Sequence, residues 1–216
     1  MNDRDKILGA IQKALLKSTE KKAPKPDFTA PIYTPPSTDD LAILFAENLR
    51  AIQGDFCFCE DEKDFLINLI GLIKQKKTKN VFVWEKVLQD ILDLTDISYY
   101  KDDTNFKSAD IGITTCEMLI ARDGGVLVSS RQRAGRRLTI FPPIHVVVAF
   151  TSQLVYDVET ALQKMRERYK PMPSMLSFIN GPSRTADIEK TLVLGAHGPK
   201  ELHVFLIEDQ INDLSE

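Results

Sequence analysis

A chain of 216 residues, 43% of them hydrophobic and 27% charged, is long enough to bury a substantial core and has the composition of an ordinary soluble protein. Its formal net charge of −3 gives no electrostatic reason to expect nucleic acid or an anionic membrane as a partner. We expect no membrane span, because no apolar run approaches the roughly 20 residues that a spanning helix needs.

The cysteine content limits both location and metal chemistry. Cys57, Cys59 and Cys116 are too few for a disulfide framework, and the amino terminus lacks the apolar core of a signal peptide, so we expect a reduced, cytoplasmic location. A self-contained four-iron cluster normally takes four thiolates, and no cysteine or histidine pair has the spacing of a zinc site. The sequence therefore predicts no metal in this chain and assigns any iron–sulfur cluster to another protein.

Residues 1–37 differ from the rest of the chain. Residues 3–18 have apolar side chains at helical spacing, whereas residues 19–37 mix lysines with prolines. We predict an amphipathic helix followed by a Pro-rich arm, and an α/β domain over residues 38–216. Three alternatives are open for the helix: packing on a neighbouring molecule, packing on the chain's own domain, or a loosely attached terminus.

Helix and strand patterns alternate from Asp39 onward. Asp39 or Asp40 can cap a helix that continues to Arg50. The next predicted elements are a strand over Phe56–Cys59, a helix over Glu62–Gln75, a strand over Val81–Trp84 and a helix over Lys86–Asp93. Such alternation predicts an α/β fold in which a mainly parallel, Rossmann-like sheet carries helices on both faces.

Apolar runs flank a Gly-Gly turn in the middle of the chain and predict a β-hairpin. Ile111–Thr114 and Met118–Ala121 precede Asp123-Gly124-Gly125, which leads into Val126–Val128. Beyond the hairpin, the predicted elements are a buried strand over Ile144–Phe150, a helix over Tyr156–Tyr169 and a final strand over His203–Ile207.

The segment Gly181–Glu189 carries the most particular motif. The apolar run Met175–Ile179 precedes its Gly-Pro turn, and a second apolar run, Thr191–Gly195, follows its polar residues. We interpret this order as strand, turn and helix start, which directs backbone N–H groups and the positive end of a helix dipole at an anion. The predicted anion ligands here are Gly181, Ser183, Arg184, Thr185 and Asp187.

Helix capping alone is the competing explanation of this motif. Ser183 or Thr185 can cap the first N–H groups, and the acidic Asp187 suits the helix dipole. Capping explains neither Arg184 nor the Gly-Pro pair, so we favour an anion site.

A basic loop, Ser129–Arg137, forms a second candidate site. Four arginines in seven residues can bind phosphate or carboxylate groups bidentately, and we expect Arg136 or Arg137 to close over the anion. A solvated loop whose arginines pair with the acidic surface is the alternative.

Two histidines complete the candidate ligands. His145 follows Pro142-Pro143 and opens a strand; we favour a satisfied core histidine that is hydrogen-bonded to the backbone, with a polar contact to the anion as the alternative. His197 lies in the turn Gly195–Pro199 that ends the predicted helix, where it can contact either the ligand or the last helix carbonyls. No nucleophile–base pair is recognisable from spacing, so no catalytic residue is assigned.

These motifs resemble the lactate utilisation protein C family, whose members carry the LUD domain. The segments that carry the resemblance are Ile111–Thr114, Asp123–Gly125, Pro142–His145, Gly181–Glu189 and Leu194–Val204. They lie within roughly residues 40–208, and Gly181–Glu189 is the most specific of them.

The resemblance implies a fold like that of the glucosamine-6-phosphate deaminase, ribose-5-phosphate isomerase and CoA-transferase group, which includes 5-formyltetrahydrofolate cyclo-ligase. It also implies a part in bacterial oxidation of L-lactate to pyruvate, alongside iron–sulfur partners of the heterodisulfide-reductase and ferredoxin types. The family pattern has a glutamate before the hairpin, where this chain has Arg122. The resemblance therefore does not extend to covalent chemistry by an acidic nucleophile at that position.

We expect a component of lactate oxidation that binds an anionic small molecule, such as lactate, pyruvate or a nucleotide phosphate, and has no cofactor of its own. Two alternatives stay open: a free-standing enzyme acting on a phosphorylated or folate-like substrate, and a non-catalytic interaction module for the cluster-bearing partners. Self-association into a homo-oligomer is also open.

Overall fold

The computed structural model describes residues 2–16, 38, 40–134, 137–186, 192–195 and 197–209. The chain divides into two compact units, Met1–Pro35 and Pro36–Glu216. In the first unit, helix α1 spans Asp3–Leu16, so the predicted amino-terminal helix is present over the described residues. Acidic residues lie in its first turn and a lysine in its last, which are the signs that the helix dipole favours at each end.

The second unit alternates helices and strands. In chain order they are α2 (Leu41–Ala51), β1 (Asp55–Cys59), α3 (Glu62–Lys76), β2 (Val81–Val83), α4 (Lys86–Leu92), β3 (Ile111–Thr115), β4 (Met118–Ile120), β5 (Gly125–Ser129), β6 (Ile144–Phe150), β7 (Leu154–Val155), α5 (Val158–Arg168), β8 (Leu176–Ile179), β9 (Arg184–Ala186), β10 (Leu192–Leu194) and β11 (Glu201–Ile207). Each element predicted between residues 40 and 179 is present close to its predicted bounds.

Aspartates at the helix starts explain where α2, α3 and α5 begin. The Asp40 carboxylate accepts the Ala42 N–H at 2.9 Å, which places the predicted cap at Asp40. Asp61 caps α3 and Asp157 caps α5, each by accepting a backbone N–H at 2.8 Å. A side-chain cap of this kind stabilises a helix by about 1 kcal/mol.

Within the described residues, five parallel strands form the main sheet in the order β1-β11-β6-β3-β2. Helices α3 and α4 pack on one face, where Phe65 and Leu92 are fully buried in a core with Val146. Helix α2 packs on the other face through Phe45, in a core that contains Val147. The predicted α/β fold, with a mainly parallel sheet and helices on both faces, is confirmed.

A second sheet, formed among the described residues by β7-β4-β5-β8, shares the second face with α2. Leu119 and Val126 of this sheet belong to the same buried core as Val147 and Leu206 of the main sheet. Helix α5 covers the outer side, where Met165 packs in a smaller core cluster with β4 and β5. The sequence did not predict this extra layer, because strands of two to five residues carry too little periodicity to show which sheet they join.

The Gly-Gly hairpin predicted between β4 and β5 is confirmed. The two strands pair antiparallel, with Met118 opposite Leu127. Gly124 has a φ of +62°, and a Cβ there would lie 2.4 Å from the Leu49 nitrogen of α2. Glycine is required here both by the left-handed backbone and by the close approach of α2.

The helix predicted after Gly181 is wrong over the residues that the structure describes. Arg184–Ala186 is strand β9, and it pairs antiparallel with Leu192–Leu194, strand β10. Backbone hydrogen bonds hold the segment before it, since Ser183 N–H donates to Pro199 O at 2.8 Å and Gly195 N–H donates to Ser183 O at 3.0 Å. These tertiary partners override the local pattern of a helix start.

Candidate functional site

The candidate site lies at the carboxyl end of β3, where the chain passes from the main sheet to the second sheet. β3 ends at Thr115, and Glu117 follows before β4 begins. β2 is parallel to β3 with Val83 opposite Ile113, so Glu85 comes level with Thr115. In open α/β sheets, ligands bind outside the carboxyl ends of the strands.

Glu117 is a carboxylate buried among hydroxyl and guanidinium donors. Its side chain is 3% exposed. The Ser129 hydroxyl donates to Oε1 at 2.6 Å, and the Tyr169 hydroxyl donates to both carboxylate oxygens at 3.1 and 3.2 Å. Arg168 Nη1 donates to Oε2 at 3.3 Å. Burial raises the pKa of Tyr169 and the Glu117 carboxylate raises it further, which keeps the phenol protonated as a donor.

The first residues of the basic loop position the serine that contacts Glu117. The Arg131 N–H donates to Ser129 Oγ at 3.0 Å, which leaves the hydroxyl hydrogen for Glu117. Gln132 Oε1 accepts the Ser129 N–H at 2.9 Å, and Gln132 Nε2 donates to Thr115 Oγ1 at 3.0 Å. Hydrogen bonds therefore link the ends of β3 and β5 and orient the Glu117 carboxylate.

Glu85 is a second buried carboxyl group at this edge of the sheet. It is 8% exposed; its Oε2 accepts the Thr115 N–H at 2.6 Å, and its Oε1 has no hydrogen-bond partner in the described part of the chain. Burial raises the pKa of Glu85, the Thr115 hydrogen bonds lower it in part, and the nearby Glu117 carboxylate raises it again. Glu85 therefore retains a proton to higher pH than an ordinary glutamate.

A cleft of about 490 Å³ lies beside Glu117. Its lining residues are Glu117, Met118, Ser152, Gln153, Lys164, Glu167 and Arg168. The Arg168 side chain is 53% exposed, so its remaining N–H donors face solvent together with those of Lys164. The cleft thus combines two cationic side chains, Lys164 and Arg168, with two carboxylates, the buried Glu117 and the exposed Glu167. Such a mixture of donors and acceptors suits a small molecule that has both an anionic group and a hydroxyl group.

Arg131 and Arg137 of the basic loop contact different residues of the domain. Arg131 Nη2 donates to Pro171 O at 3.0 Å, and its guanidinium lies 5.7 Å from the Tyr169 ring centre. Arg137 pairs with Asp103 at 3.2 Å and lies over the aromatic rings of Trp84 and Phe106, so its described contacts are structural. Arg136 falls outside the described residues.

The Gly181 motif contacts the carboxyl end of α2. Gly181 has a φ of +77°, and a Cβ there would lie 2.4 Å from the Ile52 carbonyl oxygen. Arg184 Nη2 donates to the same oxygen at 2.7 Å. A cation at the carboxyl end of a helix is favourable, so this contact accounts for both the arginine and the glycine without a ligand.

The structure brings Ser183 and the turn that contains His197 together. A Cβ on Gly198 would lie 2.8 Å from Ser183 Cβ, and the Ser183 N–H is bonded to Pro199 O. His197 is exposed. The side chain of Thr185 and all of Asp187 fall outside the described residues, so ligand contacts at these positions stay a prediction.

His145 lies in the core as expected, but within the described residues its ring is bonded to a side chain and not to the backbone. It is fully buried, and its Nε2 lies 2.9 Å from Thr114 Oγ1. Burial lowers its pKa to about 3, so the imidazole is neutral. His145 has no exposed surface for a ligand, and its Nδ1 has no hydrogen-bond partner in the described part of the chain.

Arg122 lies at the opposite end of β4 from Glu117. Asn48 of α2 donates its side-chain amide to the Ala121 and Arg122 carbonyl oxygens at 2.9 and 3.1 Å. The family pattern has a glutamate where this chain has Arg122. Because that position and Glu117 lie at opposite ends of β4, the arginine does not remove the Glu117 carboxylate from the site.

Sequence reasoning missed the site centred on Glu117 because its partners are distant in the chain. Tyr169 is 52 residues from Glu117, and no spacing rule connects them. The sequence does contain one indication of this site, because Glu85 and Glu117 are charged residues that stand next to apolar runs predicted as buried strands. Charged residues that are buried in such positions are paired or functional.

The described residues contain neither a cluster of metal ligands nor a membrane-spanning helix. No group of three or more histidine, cysteine, aspartate or glutamate side chains that could hold a metal ion occurs among them. No described helix combines the length and the apolar character needed to cross a membrane.

Curated relatives are similar to most of this chain. Lactate utilization protein C of Shouchella clausii is 28% identical over 193 residues, which cover 81% of this chain and 82% of that protein. Lactate utilization protein C of Halalkalibacterium halodurans is 27% identical over 206 residues, covering 86% and 89%. The Bacillus subtilis protein of the same name is 32% identical over 116 residues, covering 51% and 48%.

A solved structure shares the fold. It is a DUF162 family protein from Deinococcus radiodurans, with a TM-score of 0.59 and 19% sequence identity, and the match covers 80% of this chain and 99% of that one. The family model of the LUD domain matches residues 43–207, which include α3, both sheets and Glu117. This chain therefore belongs to the LUD domain family.

Proposed function

We propose that this chain is a component of L-lactate oxidation to pyruvate that binds a small hydroxy- or oxo-carboxylate beside Glu117 and works with iron–sulfur partner proteins. The observation that carries the proposal is similarity to proteins named lactate utilization protein C across more than four fifths of the chain. The chemistry of the Glu117 cleft supports a ligand of this class.

The cleft offers one group for each polar part of lactate. Arg168 and Lys164 can bind the carboxylate, since an arginine fork donates two parallel hydrogen bonds to it. Glu117 can accept a hydrogen bond from the 2-hydroxyl group when Tyr169, which donates to both carboxylate oxygens, donates to one of them alone. Pyruvate has no hydrogen at that oxygen, so a carboxylate acceptor favours lactate over pyruvate.

The alternative anion site at Ser183, Arg184 and Thr185 is the second place where this ligand could bind. Arg184 already donates to the Ile52 carbonyl oxygen, so an anion there would share the guanidinium with the end of α2. Variants at Arg168 and Arg184 therefore distinguish the two locations.

The cysteines support the assignment of iron–sulfur clusters to partners. Cys57 Sγ lies 3.9 Å from Cys59 Sγ, whereas Cys116 lies in a different core cluster. Burial raises the pKa of all three thiols. Clusters are ligated by thiolates, which such burial disfavours.

Thermal unfolding in a ligand panel tests the proposal. The panel contains L-lactate, D-lactate, pyruvate, acetate and inorganic phosphate. A ligand at 100 times its dissociation constant adds about 2.7 kcal/mol to the free energy of unfolding, which raises Tm by about 5–10 °C. We expect L-lactate to give the largest increase.

Matched variants localise the effect. Arg168→Ala should abolish the increase, whereas Arg166→Ala removes an exposed arginine from the same helix outside the cleft and should retain it. Loss of the increase in Arg184→Ala with retention in Arg168→Ala would move the site to the Gly181 motif. No increase with any carboxylate would refute small-anion binding.

A free-standing enzyme is the second candidate function, and one observation favours it. Glu85, with a raised pKa and an unpartnered oxygen, lies near the Glu117 carboxylate, and such a pair can act as general acid and general base. Turnover of a sugar phosphate or a formylated folate by the purified chain alone, with loss in Glu85→Gln, would support this function over the first.

A further inference from the structure

Strand β1 is an edge strand whose one charged residue, Asp55, stands at its first position. In the part of the chain that the structure describes, β11 pairs with one side of β1 and no strand pairs with the other. Natural edge strands are commonly protected by lysine, proline or a bulge. The sequence of β1, Asp-Phe-Cys-Phe-Cys, contains neither residue, and Phe58 is 43% exposed.

Exposed apolar side chains lie on both sides of this edge. Ile43 of α2 is 53% exposed and Ile67 of α3 is 69% exposed. A groove of about 440 Å³ between β1 and α2 is lined by Ile43 and Phe58, and a groove of about 760 Å³ between β1 and α3 is lined by Ile67 and Cys57. An unpaired edge strand with exposed apolar side chains on both sides is typical of a protein interface.

The α2 groove also contains charges of both signs, the acidic Asp40 and Glu47 and the basic Arg50. Glu47 and Arg50 are both exposed, both line the groove, and lie one helical turn apart. A two-fold interface brings the same patch of each subunit together, so a patch with an acid and a base can complement itself. This self-complementarity favours a second copy of the chain as the occupant.

We propose that β1 pairs antiparallel with β1 of a second copy about a two-fold axis at Cys57, which joins the two main sheets edge to edge. Cys57 is the midpoint of the five-residue strand, so this register uses its whole length. It places Phe56 opposite Phe58 of the second copy and Asp55 opposite Cys59, with no like charges directly opposed.

The same two-fold axis sets the helices against each other. Each α2 helix then runs antiparallel to its copy, and Arg50 of one subunit can reach Glu47 of the other. Ile43 and Ile67 lose solvent contact on the two faces of the joined sheet. The strand alone is too short for a stable interface, so these flanking contacts are needed to reach the area of a specific dimer.

Cross-linking at Cys57 tests the register. The full-length Cys59→Ser/Cys116→Ser variant keeps one thiol, and residues directly opposite in an antiparallel pair have Cβ atoms about 5 Å apart. A short bismaleimide should therefore convert it to a covalent dimer at micromolar protein concentration. The further variant Cys57→Ser should give none. Absence of a covalent dimer from the single-thiol variant would overturn the proposal.

Charge reversal tests the helix contact by sedimentation equilibrium of the full-length protein. Arg50→Glu and Glu47→Arg should each weaken dimerisation roughly tenfold, and the double variant should restore it, because the pair re-forms with reversed signs. Arg166→Glu, on α5, is the control and should dimerise as the wild type does. A monomeric wild type, or an Arg50→Glu variant with unchanged dimerisation, would refute the second copy as the occupant.

Discussion

Ser129→Ala should destabilise the protein through the buried hydrogen bond to Glu117. The serine is fully buried, and its hydroxyl donates at 2.6 Å to a carboxylate that is 3% exposed. A hydrogen bond to a charged group contributes about 1.5–3 kcal/mol, and the Arg131 N–H also loses its acceptor. We expect the free energy of unfolding to fall by about 3 kcal/mol, which lowers Tm by about 6–12 °C.

Urea unfolding at pH 7 measures this loss, and Ser130→Ala is the matched control. Ser130 is the adjacent serine, and its hydroxyl contacts Ser174 at 3.1 Å instead of Glu117. A double-mutant cycle isolates the contact: in a Glu117→Gln background, Ser129→Ala should cost about 1–2 kcal/mol less than in the wild type. Equal losses for Ser129→Ala and Ser130→Ala, or strict additivity in the cycle, would refute the assigned role of this hydrogen bond.

Three further predictions concern Arg184, Glu85 and His145. Arg184→Ala should lower the free energy of unfolding by about 1 kcal/mol in urea titrations, because it removes a partly solvated hydrogen bond to the end of α2. The response to L-lactate should stay unchanged, and unaltered stability would contradict the role of this hydrogen bond. The raised pKa of Glu85 means that folding favours its protonated form, so its stabilising contribution is complete below the unfolded pKa and is lost as pH rises through the folded pKa. The stability of Glu85→Gln relative to the wild type should therefore increase from pH 4 to pH 8, and a constant difference would contradict the raised pKa. The pKa of His145 is lowered to about 3 in the folded protein, so the free energy of unfolding falls as pH drops below 6.5, the pKa in the unfolded chain. At pH 5 the wild type should have lost about 2 kcal/mol more of this free energy than His145→Gln. Equal losses in the two proteins would refute burial of the neutral ring.

Local chemistry explains the parts of the fold that the sequence predicts well. Asp40 is followed by an apolar pattern of helical period, and its carboxylate satisfies N–H groups of the first turn that no other group reaches. Gly124 is predicted as a turn residue because L side chains disfavour its left-handed backbone. In these cases the residues that determine the structure are neighbours in the chain.

The Gly181 motif shows why the rest could not be predicted. Its sequence has the local features of a helix start, but Arg184 is bound to Ile52, which lies 132 residues earlier. The resulting strand β9 depends on backbone partners that only the folded chain supplies. Local propensity is a weak determinant where tertiary hydrogen bonds of this kind compete with it.

The site at Glu117 depends on long-range contacts in the same way. The sequence shows an acidic residue beside Cys116, but its environment comes from Ser129 at the end of β5 and Tyr169 after α5. Each of these side chains is unremarkable where it stands in the sequence. The grouping arises because the end of β5 and the residues that end α5 meet at Glu117, just beyond the carboxyl end of β3.

Titration calorimetry of L-lactate into three proteins tests most directly whether the chain binds a small carboxylate beside Glu117. The proteins are the wild type, Arg168→Ala and Arg166→Ala, all at pH 7 and the same salt concentration. We predict measurable binding to the wild type, an affinity lower by roughly tenfold or more in Arg168→Ala, as expected for loss of a charged hydrogen bond to the ligand, and wild-type affinity in Arg166→Ala. No binding of L-lactate to the wild type, or equal affinities in all three proteins, would contradict the proposed site.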